Sequence, residues 1–127
     1  MNKRVVNEEI TSAYEALQVV GVAKAGKIDK TFRGQISTFG AAVSMGSLHA
    51  AIAFFSNNGG ANVERSKLMQ AILEVLKKRK PEMNRCQNLY EYAVQAKGRN
   101  EEEERKEEIL NAAIALKLAM NLYELSE

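Results

Sequence analysis

Apolar residues recur along the chain at the three- and four-residue spacing that lines one face of an α-helix, and this pattern carries most of the fold. Val6, Ile10, Ala13, Tyr14, Leu17 and Val20 predict a first helix running to about Ala25, with Gly21, Gly26, Lys24 and Lys27 marking its end. Asp29 is a plausible N-cap for a second helix through Phe32, Ile36, Phe39 and Val43. Gly34 and Gly40 lower the intrinsic propensity of that helix by about 1 kcal/mol each, so packing must compensate. Gly46 opens a third segment, in which Leu48, Ala51, Ile52 and Phe55 share a face and alanines permit close approach, before Asn57, Asn58, Gly59 and Gly60 force a turn.

After that turn Asn62 is positioned to cap a fourth helix with Leu68, Met69, Ile72, Leu73 and Leu76 inward, which Pro81 stops. A fifth helix is predicted over Met83–Lys97, with Cys86, Leu89, Tyr90, Ala93 and Ala96 inward and Gly98 as its stop. Asn100 then begins the last helix, placing Glu101, Glu102 and Glu103 in a first turn that favours anions, with Glu103 reaching back in a capping box. Ile109, Ala113, Leu116, Met120 and Tyr123 form its apolar face, widened by Leu110, Ile114 and Leu118. No segment sustains the two-residue alternation of a strand. The expectation is an all-α, single-domain helical bundle of about five to six helices over residues 1–127.

Length and composition agree with that expectation, since 127 residues with 46% hydrophobic content are enough to enclose one core. No window resembles a targeting segment or the apolar run of a membrane span, which predicts a cytoplasmic protein with no membrane partner. Cys86 is the sole cysteine, so no internal disulfide can staple the fold.

Charge changes the picture more. The net charge is only +2, yet residues 1–99 carry 15 Lys or Arg against 8 Asp or Glu, whereas residues 100–127 carry 3 against 8. Two basic clusters stand out. Lys24, Lys27, Lys30 and Arg33 recur every three residues around the connection between the first two helices, and can present several cations to a nucleic-acid backbone or form a solvated turn. Lys77, Lys78, Arg79 and Lys80 either stabilise the C-terminal end of the fourth helix or contact phosphates. These eight residues are the candidate RNA-binding positions.

Candidate chemistry is sparse. His49 is the only histidine and Asp29 the only aspartate, and one Cys with one His lacks the ligand set of a zinc site. His49 sits among alanines with no partner in the sequence that would make it a general base. The glycines match neither phosphate-binding fingerprint. The sequence therefore predicts no enzyme, no catalytic residue, no cofactor and no metal. A helical protein–protein adaptor without nucleic acid is the alternative that these residues leave open.

Val43, Ser47, Leu48, Ala53 and Phe54, followed by Asn57, Asn58, Gly59 and Gly60, form a pattern that resembles the small-subunit family of type III-B CRISPR effector complexes, the RNA-guided Cmr assemblies. The first helix with Tyr14 and Ala16, the basic connection with Phe32 and the alanine-rich final helix from Asn111 to Glu124 are also similar. In that family glycine is usual at the position of Ser47 and proline is common at that of Gly40. The resemblance implies a noncatalytic subunit present in several copies, forming the minor filament beside the guide-bearing backbone and lining the target RNA path in antiviral defence. Implied partners are other subunits of the complex, further copies of the chain, and guide and target RNA. The type III-A small subunit is a related possibility.

Overall fold

The computed structural model describes residues 1–126. It contains α1 (Lys3–Val19), β1 (Ala23–Lys24), β2 (Lys27–Asp29), α2 (Lys30–Met45), α3 (Leu48–Phe55), α4 (Ser66–Arg79), α5 (Leu89–Val94), α6 (Gly98–Ala119) and β3 (Glu124–Ser126). Short 3₁₀ turns occupy Pro81–Arg85 and Met120–Leu122. The all-α class stands, with a minimal sheet added.

α6 is the hub, packed against α1, α2 and α4. Its middle lies beside the start of α1, where the Met1 amino group pairs with Glu107 at 3.1 Å and the Asn2 N–H donates to Asn111 Oδ1 at 3.0 Å. The far ends of the two helices also meet, because Tyr14 and Tyr123 stack with ring centroids 4.5 Å apart and the Tyr123 hydroxyl donates to the Tyr14 carbonyl at 2.7 Å. α1 and α6 therefore run parallel. The apolar stripes of α1, α2, α3, α4 and α6 close one core in which Leu17, Phe39, Phe55, Ile72, Leu76, Ile109 and Leu116 are fully enclosed. Truncating any of these to alanine costs about 2–5 kcal/mol, the range for cavities that neighbours only partly fill.

Several caps follow the sequence. Asp29 accepts the Thr31 N–H at 2.9 Å to start α2, and Ser47 accepts the Ala50 N–H at 3.2 Å to start α3. Ser47 thus gives the third helix a side-chain cap that a glycine at that position cannot supply.

Other elements differ from expectation. α1 ends at Val19, not Ala25, because the chain turns at Gly21 (φ 83°) into a hairpin. Asn62 caps nothing; α4 begins at Ser66, whose N–H is satisfied by the Asn58 side chain at 3.0 Å. The single helix expected over Met83–Lys97 is a 3₁₀ turn followed by a short α5 with Asn88 as N-cap. That later start rotates the register, so Tyr92 is buried while Tyr90 is 44% exposed. Gly98 opens α6 instead of closing α5, and it is Glu101, not Glu103, that reaches back, accepting the Lys97 N–H at 3.3 Å. Leu118 is exposed.

The three strands form one small sheet in the order β1-β2-β3, with β1 antiparallel and β3 parallel to β2. Ile28 anchors it, 1% exposed, paired with Ala23 on one side and Leu125 on the other. The sheet fastens the C-terminal segment to the α1–α2 connection. Its consequence for function is positional, because it holds the first basic cluster at the end of the bundle where α1 and α6 finish.

Candidate nucleic-acid interface

The β1–β2 hairpin turns through Ala25 (φ 52°) and Gly26 (φ 78°), two positive values that match a two-residue type I′ turn. Glycine adopts this freely, whereas Ala25 accepts a cost of about 1–2 kcal/mol for the left-handed region. The Gly26 carbonyl accepts the Glu124 N–H at 3.0 Å, tying the turn to β3. Lys24 and Lys27 flank the turn as directly opposed cross-strand partners, both exposed. Two like charges facing each other across a ladder are unfavourable, and neither makes an ion pair among the described residues.

Lys30 and Arg33 continue this surface along the first turn of α2, Lys30 exposed and Arg33 half-buried. Both lie at the helix end whose dipole disfavours cations, and Asp29 is the acidic group beside them. The Thr31 backbone N–H and hydroxyl hold the Asp29 carboxyl below its usual range. A cleft of about 320 Å³ opens next to the hairpin, lined by Lys24, Lys27, Phe32, Val63, Glu64 and Lys67 among others. Lys67 approaches so closely that a Cβ on Gly21 would meet its Nζ at 3.3 Å. Its charge is shared with Glu64 at 2.8 Å, and that contact lowers the Glu64 pKa. The structure therefore brings Lys24, Lys27, Lys30 and Arg33 onto one end and adds Lys67, which the sequence reading missed because it lies on α4.

The second basic cluster meets acids. Lys77, Lys78 and Arg79 end α4 and Lys80 is its C-cap, where the helix dipole favours cations. Lys78 lies 3.6 Å from Glu15, Arg79 lies 3.4 Å from Glu8, and Lys80 pairs with Glu108. Burial alone would lower the Lys80 pKa, but the hydrogen bond and charge of Glu108 outweigh it and raise it. Tyr92 donates its hydroxyl to the same Glu108 carboxylate and accepts from Lys80 at 3.4 Å. Burial, followed by the Glu108 contact, pushes Tyr92 up to about 12. Arg105 closes this network, its guanidinium 4.5 Å from the Tyr92 ring centroid and donating to the Tyr92 carbonyl.

Behind these pairs sits Glu9, 4% exposed, with Oε1 lacking a hydrogen-bond partner among the described residues. Burial raises its pKa to about 7; Arg79 pulls it down, and Glu108 and Glu8 push it up.

His49 packs edge-on against Tyr90 with centroids 6.1 Å apart and makes no hydrogen bond among the described residues. It borders a cleft of about 220 Å³ with Ser47, Glu102, Glu103 and Lys106. No group of three or more His, Cys, Asp or Glu side chains that could hold a metal ion is assembled among the described residues. Among them, no helix is long and apolar enough to cross a membrane.

The molecule is thus a helical bundle with one exposed basic end and a second, acid-paired basic flank. The family described as CRISPR-associated protein (Cas_Cmr5) matches residues 7–120, which takes in α2 to α6 and all but the first four residues of α1. The chain belongs to this family, the small subunit of type III-B CRISPR effector complexes. No curated protein and no solved structure matches it.

Proposed function

We propose that this chain is a noncatalytic building block of its effector complex, joining further copies of itself in the minor filament and lining the path of the target RNA in cytoplasmic antiviral defence. The family match over residues 7–120 carries this reading. Lys24, Lys27, Lys30 and Arg33 supply the principal phosphate contacts, with Lys67 beside them. The opposed lysines at the hairpin support this, because their mutual repulsion is relieved when a polyanion lies across them. Lys77, Lys78, Arg79 and Lys80 contribute less, since Glu15, Glu8 and Glu108 already occupy three of them. Contact of this kind follows the backbone and reads no base sequence.

The test is joint charge reversal of Lys24, Lys27, Lys30 and Arg33 in the assembled complex. RNA retention falls and loses most of its salt dependence while the melting profile of the subunit is preserved. Retention that is unchanged at every salt concentration removes the hairpin from the RNA path. It would leave the chain as a helical adaptor within the complex.

A further inference from the structure

Phe54 stands apart from the rest of α3. Ala51, Ile52 and Phe55 face the core, while Phe54 points away and is 61% exposed. An isolated exposed Phe is ordinary on a protein surface. What distinguishes this one is Arg65, whose guanidinium carbon lies 4.2 Å from the Phe54 ring centroid and 5.2 Å from that of Phe55.

Arg65 is fixed in that position. Its Nε donates to the Asn57 carbonyl at 2.8 Å and its Nη2 to the Phe54 carbonyl at 3.2 Å. The intervening loop is held too, as Asn57 Oδ1 accepts the Gly59 N–H at 2.8 Å and Asn58 Oδ1 accepts the Ser66 N–H at 3.0 Å. Arg65 makes no ion pair among the described residues. On the Phe54 side, the buried Phe55 braces the ring edge-on at 5.4 Å and 74°. The result is a preorganised aromatic ring with an adjoining planar cation that makes no ion pair among the described residues.

Its location gives it an occupant. Arg65 immediately follows Val63 and Glu64 and precedes Lys67 by two residues, and these three line the cleft of Lys24 and Lys27. Arg65 therefore links the Phe54 ring to the segment that lines the cleft of the hairpin cations. We propose that Phe54 and Arg65 form a stacking platform for one unpaired nucleobase of the RNA strand that the hairpin cations hold. Flat π faces are common to all bases, so the platform accepts any of them, and Arg65 adds cation–π attraction and charge toward the backbone. This inference rests on the RNA reading above. A docking protein is the less fitting occupant, because it would have to desolvate a guanidinium that is held by carbonyls and makes no ion pair with a carboxylate among the described residues.

The probe is a single-stranded oligoribonucleotide of mixed sequence, with an abasic oligomer of equal length and charge, titrated against the full chain at low salt. Phe54→Ala weakens binding of the base-bearing strand about tenfold with its salt slope unchanged. Phe54→Tyr restores affinity and Phe54→Leu does not. The abasic strand binds the native chain about as weakly as the base-bearing strand binds Phe54→Ala, and the variant scarcely distinguishes the two strands.

Native affinity from Phe54→Leu, or equal native affinity for both strands, overturns the platform. So does a full chain that holds neither strand. If the Phe54 variants bind RNA normally but lose self-association or retention in the complex, the residue is a protein contact and the proposal fails. Failure of the RNA reading itself is recognised separately, by charge reversal at the hairpin that leaves retention in the complex unaltered.

Discussion

The hairpin cluster and the α4 cluster each hold four cations within a few residues, yet they face different surroundings. Lys24 and Lys27 oppose one another across a turn and project to solvent, whereas Lys78, Arg79 and Lys80 each meet a carboxylate from α1 or α6. A phosphate approaching the hairpin meets Lys24 and Lys27, which make no ion pair among the described residues. One approaching α4 must compete with Glu8, Glu15 and Glu108. The difference teaches that a basic run acquires its meaning from its tertiary neighbours: the second cluster is fastened to α1 and α6 by acids, whereas Lys24 and Lys27 of the first make no ion pair among the described residues.

The sharpest way to break this contrast is at the hairpin. Replacing Lys24, Lys27, Lys30 and Arg33 together with glutamine removes up to four phosphate contacts, each worth about 0.7 in the salt slope for a single strand. RNA retention by the complex falls about a hundredfold or more at low salt. The same treatment of Lys77, Lys78, Arg79 and Lys80 lowers the melting temperature and changes retention much less. Filter binding across a salt series with parallel thermal melts separates the two outcomes, and equal losses of retention would erase the distinction.

Glu9 offers the next effect, on stability. Its folded pKa of about 7 lies above the ordinary 4.5, so the folded chain holds a proton that the unfolded chain releases. Stability from this group is complete below about pH 4.5 and is lost as pH rises toward 7. Glu9→Gln removes the penalty of a buried carboxylate. It stabilises the protein by about 2 kcal/mol at pH 8, raising the melting temperature by roughly 5–10 °C, and has little effect at pH 4.5. Denaturant melts at the two pH values check this. A gain independent of pH would show that burial of charge at Glu9 is not the cause.

Where the sequence spoke and where it was silent follows from distance along the chain. The stripes of α1, α2, α4 and α6 were legible because each needs only neighbours three or four residues apart. Asp29 was readable as a cap for the same reason. The sheet was not, because β2 pairs with a strand almost a hundred residues later and each strand has only two or three residues. The fifth helix was misread where the extended backbone at Cys86 and the Asn88 cap interrupt a periodic run, and this exchanged Tyr90 for Tyr92. Both basic clusters were visible as residues, but the Glu8–Arg79 and Lys80–Glu108 pairs that separate them join positions on different helices. Lys67 and Arg65 were hidden likewise, since only folding brings α4 beside the hairpin and Phe54.

Tyr92 tests the fastening role directly. Tyr92→Phe keeps the buried ring under Arg105 but removes the hydroxyl shared by Glu108 and Lys80. Loss of a buried hydrogen bond to a charged acceptor costs about 1.5 kcal/mol. The variant therefore unfolds at lower denaturant, with RNA retention unchanged once folded. A fall in retention at full folding would mean that this network also serves the RNA.

The smallest effect belongs to Lys78, and it tests the contrast at its weakest point. Lys78 and Glu15 are 61% and 53% exposed and 3.6 Å apart, so solvent screens their attraction and the pair contributes less than about 0.5 kcal/mol. Of the three paired cations in the α4 cluster, Lys78 is the one most free to exchange its acid for a phosphate. Even so, Glu15 remains beside it and repels the incoming anion. Lys78→Gln leaves the salt slope of RNA retention almost unaltered, whereas Lys27→Gln lowers it by about 0.7. Equal slopes for the two variants would show that an exposed ion pair is no barrier to RNA, and that position on the surface, not pairing, decides which lysines bind.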